Sequence, residues 1–262
     1  MHSNEQVLPV VVFTGGPSLD GQVLDFIHAL DNDATIDLLA IFSQSPVRGL
    51  SGIVADVCKR RGILAPAILL RNAIAACFSI VTDPRLRLTR HRTRTSLGPR
   101  IRYCDDIHDS EVLATVRSLR PSLGLVYGGP IIKPELYTLP AMGTLGIHHG
   151  NVPEYRGKKT TFWALYNGEP EVSVIIQRIG SKLDAGDIVR RVDVPVNNRP
   201  LPVIRNILER KGIELYLRAV RDVGSGAAQF TKQAPTSGKL YKDPDALDIV
   251  RYWLRYARRI LG

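Results

Sequence analysis

Short runs of β-branched and apolar residues end at glycine- or proline-containing turns and alternate with stretches of helical periodicity, and this rhythm constrains the chain more than any other feature. Leu8–Phe13 (LPVVVF) is such a run and meets Thr14-Gly15-Gly16-Pro17-Ser18. Residues Gln22–Leu30 follow, with Val23, Leu24, Ile27 and Leu30 at the spacing of one helix face. Ile36–Phe42 (IDLLAIF) ends at Ser43-Gln44-Ser45-Pro46, and Leu123–Tyr127 (LGLVY) ends at Gly128-Gly129-Pro130. Helical patterns over Leu50–Arg61 and Glu111–Leu119 separate these runs. Strands alternating with helices predict a parallel sheet that receives its ligands at the carboxyl ends of the strands.

The second half continues the pattern with a change of hand. Gly143–Gly150 (GTLGIHHG) leads into the turn Asn151-Val152-Pro153-Glu154-Tyr155-Arg156-Gly157. Thr160–Tyr166 reads as a helix, Ser173–Ile179 as a strand, and Arg190–Val196 as an antiparallel edge strand. Pro202–Val220 and Asp243–Leu261 read as amphipathic helices. The second of these gathers Leu247, Val250, Leu254, Ala257 and Leu261 on one face, a pattern that often pairs copies of a chain as a homodimer. The stretch from Ala65 to Arg102 breaks the rhythm. It holds seven arginines and no acid between Arg85 and Arg102, and reads as an insertion: a solvated loop, or a contact for phosphate or nucleic acid. No aromatic residue is interleaved with those arginines, so nucleic-acid stacking is not expected there.

Composition narrows the class. With 44% hydrophobic and 23% charged residues, the 262-residue chain reads as an ordinary globular protein. No apolar run is long enough to span a bilayer, and Met1–Val7 lacks the pattern of a secretory signal. Cys58, Cys77 and Cys104 are scattered, which predicts free thiols in a reducing, cytoplasmic setting. His108 with Asp105 and Asp106 does not form a metal set, and no metal site is expected. The net charge of +10 favours phosphorylated or polyanionic partners.

His148 stands where a predicted strand opens into a loop, and Asp184 lies in the glycine-containing loop Lys182-Leu183-Asp184-Ala185-Gly186-Asp187 after another strand. A histidine and an aspartate at two strand ends can meet across a cleft and share proton transfer. A structural histidine and a plain turn would give the same letters.

The order of the motifs adds to this. The string Gly143-Thr-Leu-Gly-Ile-His148-His-Gly-Asn-Val-Pro153-Glu-Tyr-Arg-Gly157 resembles the signature of the folate-dependent formyltransferases, roughly G-x-x-N-x-H-x-S-x-L-P-x-Y-R-G. These enzymes include glycinamide ribonucleotide formyltransferase, methionyl-tRNA formyltransferase and sugar N-formyltransferases. Trp163, Asn167-Gly168-Glu169 and Leu183-Asp184-Ala185-Gly186-Asp187-Ile188 match further pieces of the family pattern in the same order. The resemblance is strong over Leu123–Val196, fainter over Leu8–Gly62 and absent over Ala65–Arg102.

The resemblance implies an α/β fold with a Rossmann-like, mostly parallel sheet, helices on both faces and a small helical C-terminal extension. It divides the chain into a catalytic part, 1–196, with an insertion at about 65–102, and an extension, 197–262. It implies transfer of a formyl group from 10-formyltetrahydrofolate to an amine of a small molecule, phosphorylated or not, such as an amino-sugar nucleotide. The donor is expected against Gly128, Gly129, Pro130, Ile131, Ile132, Gly180, Leu183 and Asp184. The acceptor is expected against Gly15, Gly16, Ser18, Tyr155 and Arg156. His148 would stabilise the oxyanion and Asp184 would orient it. The sequence departs from the family at Gly146, which stands where the catalytic Asn belongs. His149 and Asn151 are the candidate replacement donors. Alternatively, the fold is repurposed for another acyl or carbamoyl donor, or for hydrolysis of a formyl group.

Overall fold

A computed structural model describes residues 7–15, 19, 21–44, 97–234 and 238–261. The helix expected over Leu50–Arg61, the loop residues Gly16 and Ser18, and the arginines from Arg85 to Arg94 lie outside the described residues. In chain order the elements are β1 (Leu8–Gly15), α1 (Gly21–Asp31), β2 (Ile36–Gln44), β3 (Ile101–Cys104), α2 (Ser110–Leu119), β4 (Leu123–Val126) and α3 (Pro134–Tyr137). They continue with β5 (Thr144–His149), β6 (Tyr155–Gly157), α4 (Thr160–Asn167), β7 (Glu171–Arg178), β8 (Ile188–Pro195), α5 (Leu201–Gly224), β9 (Lys239–Tyr241) and α6 (Ala246–Leu261).

Seven strands form one sheet in the order β3-β2-β1-β4-β5-β7-β8. The first five are mutually parallel, whereas β7 and β8 run antiparallel at one side, as the alternation at Arg190–Val196 predicts. Val10 to Phe13 are fully buried because both faces of β1 are covered. Val10 and Val12 join the cluster containing Phe26, Tyr216 and Ala219, while Val11 and Phe13 join Val112, Val116 and Leu136 on the opposite face. Helices thus cover both faces of a Rossmann-like sheet.

Three features differ from the sequence reading. Ile101 and Arg102, assigned to the insertion, begin the edge strand β3, which pairs with Ile41–Gln44 of β2. β3 is four residues long, with Arg102 and Tyr103 exposed, so it carries no apolar run. A second, two-stranded sheet joins β6 to β9. In α6 the face bearing Leu247, Val250, Leu254 and Leu261 points outward, and Tyr252 on another face is the buried residue.

α5 packs directly on the sheet. The Tyr216 hydroxyl accepts a hydrogen bond from the Val126 N–H at 3.0 Å and donates to the Leu145 carbonyl at 2.7 Å. It therefore ties β4 to β5 just before their ends part, and its ring stacks on Phe26. Tyr216→Phe leaves those buried backbone groups unmatched, and we expect a loss of about 1–3 kcal/mol in stability. The midpoint of a urea denaturation series measures it.

Candidate functional site

The parallel strands splay at their carboxyl ends, and the loops there enclose a pocket of about 520 Å³. Its walls are the loop after β4 (Gly128 to Lys133), the second half of β5 (Gly146 to His148) and the loop after β7 (Ile179 to Gly186). Every donor-site residue expected from the sequence lines it: Gly128, Gly129, Pro130, Ile131, Ile132, Gly180, Leu183 and Asp184. Gly15, at the end of β1, stands beside this wall, where an added Cβ would lie 3.5 Å from the Gly128 carbonyl oxygen. The far end of the loop after β4 is pinned by His108. That ring lies 3.0 Å from Asp106 through Nδ1 and accepts the Lys133 N–H at 3.0 Å through Nε2.

β5 sets the facing of the central residues. Alternation sends Gly146 and His148 to the pocket side, and Ile147 and His149 to the α5 side, where both lie against Gly212. His148 is buried, with Nδ1 3.3 Å from Asp184 Oδ1 and Nε2 2.8 Å from the Tyr155 carbonyl oxygen. A neutral imidazole has one N–H and can serve only one of these acceptors, whereas the imidazolium serves both.

Asp184 has a positive φ of 50°, in the left-handed region. Its loop is closed by Gly186, where a Cβ would overlap the Arg178 carbonyl, so no side chain fits there. The other carboxylate oxygen accepts the Gly157 N–H at 2.8 Å. Burial raises the proton affinity of this carboxyl, but the hydrogen bond and charge of His148, the Gly157 N–H and the charge of Arg156 outweigh it. They hold Asp184 below the usual carboxylate range.

Four expected site residues are placed elsewhere. Asn151 is consumed by the backbone turn: its Oδ1 accepts from the Ser173 N–H at 2.8 Å and its Nδ2 donates to the Glu171 carbonyl at 3.0 Å. His149 faces α5, and its Nε2 is buried without a partner among the described residues. Neither lines the pocket. Tyr155 donates to Glu169 at 2.7 Å, accepts from Asn167 at 3.0 Å and stacks on Tyr241, so the Asn-Gly-Glu motif serves to hold this ring. Arg156 donates to the Gly238 carbonyl at 2.9 Å. Neither Tyr155 nor Arg156 lines the pocket.

The space in front of Gly146 is filled. A Cβ there would lie 2.6 Å from Ile179 Cδ1, so an isoleucine methyl occupies the place of a side chain at 146. Sequence reading passed over Ile179, and also Gln177, which is buried on the pocket wall within 3.3 Å of Asp184. A glutamine directly after the apolar run Val174–Ile176 is the one signal that could have flagged it.

A family model described as formyl transferase matches residues 84–215, half of the chain. This chain belongs to the formyl transferase family. Curated relatives include methionyl-tRNA formyltransferase of Pelotomaculum thermopropionicum, 29% identical over 160 residues, covering 60% of this chain and 50% of the relative. Methionyl-tRNA formyltransferase of Moorella thermoacetica is 35% identical over 105 residues, covering 40% and 34%. The chain spans about half the length of the first of these and a third of the second. Among solved structures, glycinamide ribonucleotide transformylase 1 from Symbiobacterium toebii superposes with a TM-score of 0.58 at 12% identity, covering 88% of this chain and 96% of that one. A sugar N-formyltransferase from Shewanella sp FDAARGOS_354 gives 0.58 at 14%, covering 95% and 87%. At such identities the structures show a shared fold. No helix among the described residues is long and apolar enough to cross a membrane.

His149 yields a pH prediction. Burial, then the charges of His148 and Arg205, push its pKa down to about 4. The folded chain therefore keeps it neutral, while the unfolded chain takes up a proton near pH 6.5. Stability contributed by neutral His149 is complete above about pH 6.5 and drains away as pH falls toward 4, by at most about 3 kcal/mol. Chemical denaturation from pH 7.5 to 4.5 should show this slope, and His149→Gln should flatten it.

Proposed function

We propose that this chain transfers a formyl group from 10-formyltetrahydrofolate to an amine of a small anionic molecule, with an amino-sugar nucleotide as the leading class. The observation that carries this is the His148–Asp184 pair in the wall of a pocket formed at the strand ends, within a chain of the formyl transferase family. All the pocket-lining residues fall within 1–196, which we take as the catalytic part, with 197–262 as the extension that covers the sheet.

The residues suit the donor. Among the described residues, the N–H groups of Gly128, Gly129, Ile131 and Ile132 make no hydrogen bond and border the pocket, as a planar polar heterocycle needs. When bound, 10-formyltetrahydrofolate supplies the formyl carbon that the amine attacks. Asp184 Oδ1 keeps the His148 ring in place at the wall where negative charge develops. Lys133, Lys158, Arg178 and Lys182 line the pocket against the single carboxylate Asp184, which favours an anionic acceptor. The free Cys104 fits a reducing, cytoplasmic setting.

A second reading has its own support. With Ile179 over Gly146 the wall is apolar where the family places an amide, which suits a different acyl or carbamoyl donor or a formyl hydrolase. Mass spectrometry on the purified protein, 10-formyltetrahydrofolate and a panel of amines separates the two. Formyl transfer predicts a product one formyl group heavier, and losses of at least about 10²-fold in His148→Ala and Asp184→Ala. Gly146→Asn alone requires the Ile179 methyl to move aside; combined with Ile179→Ala it should exceed Ile179→Ala by about 10²-fold, the scale of one oxyanion donor. Folate binding without product across the panel favours the repurposed site.

We also propose that the exposed face of α6 pairs with a second copy. Leu247, Val250, Leu254, Ala257 and Leu261 recur at spacings of three and four, the pattern of a helix seam, and the four larger ones are 52–87% exposed. Light scattering after size exclusion should give twice the chain mass, and Leu254→Glu should return the monomer.

A further inference from the structure

The Asp184 carboxylate is held by more than its histidine. Gln177 lies directly opposite Gly146 in the β5–β7 register, on the pocket face of β7, and is buried. Its Nε2 donates to Asp184 Oδ1 at 3.3 Å, on the oxygen that also faces His148. Its Oε1 accepts from Gln233 Nε2 at 2.8 Å, and the same Gln233 nitrogen donates to the Gly186 carbonyl at 2.8 Å.

These bonds have only one workable direction. The terminal atom of Gln233 faces two oxygens, one a backbone carbonyl that can only accept, so it must be the NH₂ group. The atom of Gln177 facing that NH₂ must then be its oxygen, which turns its own NH₂ toward Asp184. The reversed arrangement would set a glutamine oxygen against a carboxylate. The Gly186 carbonyl thereby dictates, through two side chains, that Asp184 receives a donor.

We infer that Gln177 is a positioning residue of the site and that Gln233 acts through it, the two forming a directional relay that fixes the Asp184 carboxylate. Gln233 stands two residues after Thr231, which bridges to Ile188 at the start of β8. The segment after α5 is therefore connected to the reaction centre without lining it. Only the kinetic arm of the test rests on the formyl-transfer reading.

The substrate-free test follows the Asp184 side-chain carboxyl by carbon NMR, the signal being assigned by its loss in Asp184→Asn. The charged groups facing this carboxyl are His148 from β5 and Arg156 from β6. A donor to the carboxylate stabilises its charged form, so Gln177→Met should raise the titration midpoint, by about one pH unit. Gln233→Met should raise it less. The double variant should match Gln177→Met alone, because the relay reaches Asp184 through the Gln177 amide; a further shift would come through the other Gln233 bond, to the Gly186 carbonyl of the Asp184 loop. An unchanged midpoint in folded Gln177→Met overturns the inference, and so does additivity in the double variant. If Gln177→Met fails to fold, Gln233→Met, on a more exposed segment, decides: a midpoint equal to wild type rejects the relay.

In the formylation assay, Gln177→Met should lower kcat about 10-fold with KM little changed, and the acid limb of the pH profile should follow the Asp184 midpoint. A merely structural glutamine would leave that limb in place. A shifted midpoint in a protein that forms no formylated product keeps the relay and rejects the formyl-transfer reading.

Discussion

A carboxylate taken out of water must be given donors, and the arrangement of this pocket follows from how Asp184 receives them. His148 comes from β5, the Gly157 N–H from β6 and the Gln177 amide from β7. Three separate strands must be in place before the charge is tolerable. The sheet places two of them. β5 and β7 pair antiparallel with His148 opposite Ile175 and Gly146 opposite Gln177, so both polar side chains rise on one face. Tyr216, reaching from α5 through the other face, holds β4 to β5 where the pocket opens.

The same logic separates residues that work in the pocket from residues that hold it. Asn151 satisfies the Ser173 N–H and the Glu171 carbonyl, Tyr155 is gripped by Asn167 and Glu169, and His108 closes the loop ending at Lys133. Each is polar, and Asn151 and Tyr155 lie within the motif that resembles a catalytic signature. What they share is a backbone or side-chain partner that leaves no polar atom for a ligand. Much of the signature therefore encodes the turn that brings Gly157 to Asp184.

The central strands were readable because Val10 to Phe13 and Leu123 to Leu125 must be apolar on both faces, and the loops at their ends carry glycine for conformational reasons. The pairing of His148 with Asp184 could be anticipated from motif order. β3 could not, since an edge strand of four residues with exposed Arg102 and Tyr103 has no pattern to betray it. β9 forms only because residues far along the chain fold back on Tyr155–Gly157. The placement of the His149 side chain follows from strand geometry: neighbours in a strand point to opposite faces, so a side chain adjacent to His148 points away from its pocket. Ile179 and Gln233 were out of reach, because their meaning lies in contacts with residues 33 and 56 positions away.

The contact between Ile179 and the bare Gly146 has a consequence for how sequences of this kind can change. The two positions form a reciprocal pair in which one holds volume only if the other gives it up. A side chain acquired at 146 before 179 shrinks meets a methyl group, and a residue trimmed at 179 first leaves a void on a ligand-facing wall. The two positions therefore share one volume on the pocket wall, and because Cδ1 is the free end of a flexible side chain, turning Ile179 hands that volume to position 146.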